Sequence, residues 1–317
     1  MDLTNSTVTG NIQSVVELLR QGGIENPSHP NKSNSEIPDA SEYIILFHGD
    51  LGTGERLRAA LQCRSIENTP WNRMQHVIFI PGLFHLKMAC ADALWRTFLQ
   101  PSAAREDETS LMHDVGILRP RETGIYGSKP GFRRMHQLII YDGICRRLDC
   151  WHVEARSRNP CHDTLESFAA SEPSFEDLQD VANKMAQTYV ANHQIRRMRK
   201  HESSHRDEQY ENALLLNKYM LLYEELSYAM NHGDIGRVEA CTIIWILIFK
   251  ATGKHKYALQ MTQFLCDIHF KFPEGLRLMM VESRAVRYHL LINPTGHGGK
   301  FRGVDWCVEL NNLFTKV

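Results

Sequence analysis

The rhythm of apolar and polar positions divides this chain into parts. In "YIILFHGD", Tyr43 to Asp50, five mostly apolar, β-prone residues lead into His48-Gly49-Asp50, which reads as a short strand. The next stretch, "TGERLRAALQCRSI", changes to a helical period, with Leu57, Ala60 and Leu61 on one face and Thr53 placed to cap the start. The same succession follows at once. "HVIFIPGLFHL" reads as a strand and "KMACADALWRTFL" as a helix with Ala89, Ala93 and Leu94 at helical spacing. Short apolar strands alternating with helices imply a parallel sheet covered on its faces, hence an α/β core.

On either side the pattern differs. Upstream, "GNIQSVVELLRQGG" is a modest amphipathic helix ended by paired glycines, and "ENPSHPNKSNSEIPDASE" is a Pro/Asn/Ser-rich loop. After Pro101 the chain turns irregular apart from one helical segment, "RMHQLIIYDGICRRLDCW". From Ser174 it becomes helix after helix, opening with Ser174 and Asp177 in near capping-box spacing. These helices include "RVEACTIIWILIFKATG", read as a buried helix, and "EGLRLMMVESRAVRYHLL". A glycine-rich loop, "NPTGHGGKFRG", then leads into a last helix. The expected segments are 1–40, an N-terminal helix and flexible loop; 41–100, the α/β core; 101–172, an irregular connection; 173–291, helical; and 292–317, a loop and helix that complete the core.

Composition narrows the function classes. With 36 Lys+Arg against 37 Asp+Glu, no global basic field draws the chain to nucleic acid or to an anionic membrane, so any DNA contact must come from local basic segments such as "IRRMRKHESSHR". The longest apolar run is too short for a bilayer, which takes about twenty residues. Eight scattered cysteines and a polar N-terminus fit reduced thiols in an intracellular protein, nuclear or cytoplasmic and not secreted. A protein partner or an oligomer fits this composition as well.

Candidate chemistry gathers at the strand ends. The glycines of "GDLGTGER" match neither a P-loop nor a dinucleotide fingerprint, so they read as formers of a tight strand-to-helix turn. A nucleotide-dependent enzyme is correspondingly disfavoured. Asp50 lies at the carboxyl end of a parallel strand, where open α/β sheets place their chemistry, and it reads either as a metal-holding carboxylate or as a helix cap. His85 follows the second strand and would share that edge, as a ligand or as a satisfied structural group. Asp305 and Glu309, four residues apart, share one face of the last helix. Cys145, Cys150, His152, Cys161 and His162 form a potential zinc set whose spacing matches no standard finger or ribbon.

Three stretches together, "HGDLGTGERLRAALQCRSIENTPWNRMQHVIFIPGLFHLKMACADALWRTF", "NHGDIGRVEA" and "NPTGHGGKFRGVDWCVELNNLFTKV", resemble a family of mostly fungal proteins known as domain of unknown function 6589. The order of parts is also similar, more distantly, to hAT-type transposases. That likeness implies an α/β fold with a partial ribonuclease-H-like parallel sheet core, followed by a large all-helical region as an insertion, the last helix returning to the sheet. It matches Asp50 to the second catalytic aspartate, His85 to a C-x-x-H histidine whose cysteine is here Gly82, and Glu309 or Asp305 to the terminal acid. Asp50 and Glu309 would then hold Mg²⁺ in two-metal phosphoryl transfer, with the ions about 3.5–4 Å apart. The first aspartate has no match, since only Asp2 and Asp39 lie upstream. The implied function is therefore a transposase-derived domain, truncated or catalytically incomplete and inactive alone. The competing class is a non-enzymatic interaction module with a helical binding surface among Ser174–Leu291.

Overall fold

A computed structural model of the chain describes residues 6–26, 43–99, 106–127, 130–275 and 290–314. The structure is mixed helix and sheet, mostly helical, and it divides into two units, Met1–Lys87 with Ala229–Val317, and Met88–Tyr228. Asp2, Asp39 and most of the predicted helix "EGLRLMMVESRAVRYHLL" lie outside the described residues.

In the first unit, β1 (Ile45–Gly49) and β2 (Val77–Pro81) pair in parallel, from Ile45 opposite Val77 to Gly49 opposite Pro81. Each is followed directly by a helix, α2 (Leu51–Arg64) and α3 (Leu83–Phe98), as the change of period predicts. The sheet is smaller than an α/β core implies, with two parallel strands among the described residues. The helix α1 (Val8–Gln21), capped by Thr7, is part of the same core. Its Val15 and Leu19 pack with Leu57, Trp71, Met74 and Val77, so α1 supplies apolar cover that a pair of strands cannot provide for itself.

Two local expectations are corrected here. Thr53 does not cap α2. Asp50 does, its Oδ1 accepting the Thr53 N–H at 2.7 Å, because a carboxylate one residue ahead of the helix reaches the free amides of the first turn. Of the glycines, Gly49 ends β1 at the tight connection, where a Cβ would lie 3.1 Å from the Thr53 side chain, but the other two form no turn. Gly52 and Gly54 lie inside α2, and a side chain on Gly54 would run into the Phe79 ring, so this glycine exists for close helix-to-strand packing.

The unit is completed by C-terminal elements. Helices α10 (Ile235–Ala251) and α11 (His255–Cys266) pack on each other. A short antiparallel pair, β3 (Leu291–Ile292) and β4 (Arg302–Gly303), leads to α12 (Trp306–Phe314). Arg302 anchors this segment by donating to Asn231 Oδ1 at 2.8 Å. The reading of α10 as a buried helix is also corrected. Val238, Cys241, Trp245, Ile248 and Phe249 face inward, whereas Ile243 and Leu247 are 53% and 67% exposed, so an apolar run hid a two-faced helix.

The second unit is helical. It holds α4 (Leu111–Leu118), α5 (Phe132–Arg158), α6 (Leu165–Ala170), α7 (Phe175–Met185), the single turn α8 (Ile195–Met198) and most of α9 (Glu208–His232). The stretch 101–172, expected to be irregular, is mostly helix where it is described. Ser110 caps α4 through the His113 amide, and α5 runs 27 residues from Gly131, whose φ of 89° suits only glycine. Ser174 and Asp177 form the capping box that their spacing predicts.

Candidate functional site

The site is built where β2 gives way to α3. Gly82 precedes α3 and has no side chain with which to cap the helix. The cap comes from 220 residues away: Asp305, ahead of α12, accepts the Phe84 N–H on Oδ1 and the His85 N–H on Oδ2, both at 2.9 Å. Two glycines make room for it. A Cβ on Gly82 would overlap the Asp305 carboxylate, and one on Gly303 would lie 2.7 Å from both Asp305 Oδ1 and the Phe84 amide.

The His85 ring joins the same carboxylate. Its Nδ1 lies 2.8 Å from Asp305 Oδ2, and because an ionised carboxylate only accepts, Nδ1–H is the donor. Its Nε2 faces Glu309 Oε1 at 3.4 Å. The i, i+4 spacing of Asp305 and Glu309 thus places one acid on each ring nitrogen. The hydrogen bond to Asp305 raises the His85 pKa against the opposing effect of burial, and the charges of Asp305, Glu309 and Asp50 add to the rise. The ring is therefore held between two carboxylates that favour its protonated form.

Asp50 stands at the edge of this cluster. Burial pushes its carboxyl up, but the Thr53 amide and hydroxyl, with the charges of His85 and Arg56, hold it below the usual value. All four predicted residues, Asp50, His85, Asp305 and Glu309, thus belong to one electrostatic neighbourhood. Asp305 is buried at 2% exposure, not part of an exposed acidic face. Sequence reasoning missed Gly82 and Gly303, whose signal was a glycine beside a helix start in each of "PGLFH" and "RGVDW".

As placed, Asp305 does not fit a two-ion magnesium centre. Both Asp305 oxygens already accept N–H groups, and the His85 ring, whose Nδ1–H is committed to Asp305, occupies the space between the two acids. Among the described residues, no group of three or more His, Cys, Asp or Glu side chains is disposed to hold a metal ion.

The other predicted sites are not assembled into one. In the proposed zinc set, His152 Nε2–H donates to the Asp163 carbonyl at 2.7 Å, the His162 ring meets Phe168 edge-on, and Cys145 and Cys161 are exposed. In the basic run, Arg206 makes a bidentate pair with Glu211, at 3.1 and 2.6 Å, and Arg199 approaches the same acid at 3.8 Å. Part of that positive charge is neutralised within the chain. Among the described residues, no helix is long and apolar enough to cross a membrane.

No curated protein and no solved structure matches this chain. A family model does match, over residues 1–317, and by that coverage the chain belongs to the family of unknown function DUF6589.

Proposed function

We propose that this chain is a transposase-derived, ribonuclease-H-like domain whose acidic centre has become a structural latch, so that alone it performs no metal-dependent phosphoryl transfer. The supporting observation is the return of Asp305 and Glu309, across 220 residues, to the histidine that follows the second parallel strand. That order of parts suits descent from a nuclease with a late terminal acid. The hydrogen bonds made by Asp305 suit a latch, because a carboxylate that already accepts two amides and a ring N–H has little left for a cation.

The test is incubation of the purified chain with supercoiled and linear DNA in Mg²⁺ or Mn²⁺. No nicking or strand transfer above background is expected. Metal-dependent cleavage that Asp50→Ala or Glu309→Ala abolishes would sink the proposal.

A second reading, an interaction module, is favoured by the outward face of α10, where Ile243, Ile244 and Leu247 are exposed and Leu259 of α11 is 65% exposed. Ile243→Glu with Leu247→Glu should leave the fold intact and lower self-association in light scattering. A wild-type chain that stays monomeric at every accessible concentration, and is unaffected by the pair, would remove this support.

A further inference from the structure

The helical unit contains an apolar cavity that no part of the latch uses. Its volume is about 200 Å³, and α5, α7, the turn after α7 and α9 line it. The space exists because small residues, Gly143, Ala182 and Ala186, stand where larger ones would close it. The lining also includes broad, polarisable side chains, Trp151, Met185 and Met220. A void of roughly 150 Å³ with apolar walls is known to accept benzene, so one of this size suits a bicyclic aromatic.

Three features make it a built site. First, α7 passes into a π-helical turn over Ala186–Val190, closed by the Ala191 N–H to the Ala186 carbonyl at 2.6 Å. Such turns are rare and concentrate at functional sites, and this one supplies Ala186, Tyr189 and Val190 to the wall. Second, the groups of greatest polarity are already satisfied. Arg147 pairs with Glu224 through two bonds of 2.7 and 2.6 Å, and the Tyr189 hydroxyl donates to the buried Glu154 at 3.1 Å. Third, Asn217, also on the wall, has a buried Oδ1 with no hydrogen-bond partner among the described residues. A buried acceptor left unpaired costs free energy that a donor entering the cavity would recover.

We infer that this cavity is a binding site for a small, neutral aromatic molecule that carries one N–H or O–H, which donates to Asn217 Oδ1 while the ring lies against Trp151 and Met220.

Calorimetric titration of the full chain with indole and with 1-methylindole tests this. Indole should bind saturably at one site, about tenfold tighter than its N-methyl analogue, the ratio expected for one hydrogen bond to a buried acceptor. Asn217→Leu should bring the two probes to equal affinity. Ala182→Leu, which fills the cavity, should abolish binding of both, with circular dichroism and melting temperature confirming that each variant folds. If either probe fails to saturate, if wild type binds both equally, or if a folded Ala182→Leu keeps its affinity, the inference is overturned.

Discussion

Asp305 accepts three hydrogen bonds on one buried carboxylate, two from the first turn of α3 and one from the His85 ring. Removing it would strand those donors, and Asp305→Ala should cost roughly 1.5–3 kcal/mol, the range for a hydrogen bond to a charged group. Gly82 gives a sharper test. Alanine there would overlap the Asp305 side chain, its Cβ included at 2.8 Å, so Gly82→Ala should cost about 1–3 kcal/mol in the wild-type background and much less when Asp305 is already Gly. At Gly303 the obstruction includes the Phe84 amide and the Leu83 backbone, so Asp305→Gly should not relieve Gly303→Ala to the same extent. Chemical denaturation of the two double-mutant cycles checks this. Equal coupling in both would mean that the carboxylate is not what the glycines accommodate.

Between elements, charge is shared in ways that leave a pH signature. In the helical unit Arg146 of α5 serves two acids, Asp114 of α4 and its own-helix neighbour Asp142, the latter at 3.3 Å. Burial pushes the Asp142 carboxyl up to about 7 against the pull of Arg146, and the negative charge of Asp114 adds to the rise. The folded chain then holds a proton that the unfolded chain has released, so this contribution is fully present below the ordinary value of 3.8 and is lost as pH rises to about 7. Asp142→Asn should remove it. The melting temperature of the variant relative to wild type should rise between pH 4 and pH 7.5, and a difference that stays flat would show that Asp142 is ionised throughout. Such pairings are where sequence reading reaches its limit. The two strand-helix units were legible because periods of 2 and 3.6 are local, and so was the Ser174 capping box. Most of α5 was legible too, as the helical segment "RMHQLIIYDGICRRLDCW", but its full 27 residues were not, because its apolar positions trace no single stripe. The Asp50 cap was one of two open readings, whereas the Asp305 cap joins residues 220 apart, and no local pattern announces it.

For the whole chain, the division into units has a consequence for folding. Met88–Tyr228 is one continuous segment, so its core closes through contacts of moderate sequence separation. The other unit joins Met1–Lys87 to Ala229–Val317, and its latch needs Asp305 to reach Phe84 and His85. Loop closure over that distance must be compensated by the contacts it brings, and those contacts sit in β4, α12 and the first turn of α3. Deleting residues 302–317 removes Asp305 and Glu309 and with them the cap of α3 and both partners of the His85 ring. Hydrogen exchange should then separate the units. Amides over residues 77–87 should lose protection by roughly a factor of ten or more, while those of α5, within the continuous unit, keep theirs. The contrast follows because α5 is held by its own unit, with Leu138 and Ile139 buried, the His136 ring bonded to the Tyr223 hydroxyl at 2.8 Å, and Arg147 bonded to Glu224. A uniform loss of protection across both segments would mean that the chain unfolds as one cooperative block, and that the latch stabilises all of it.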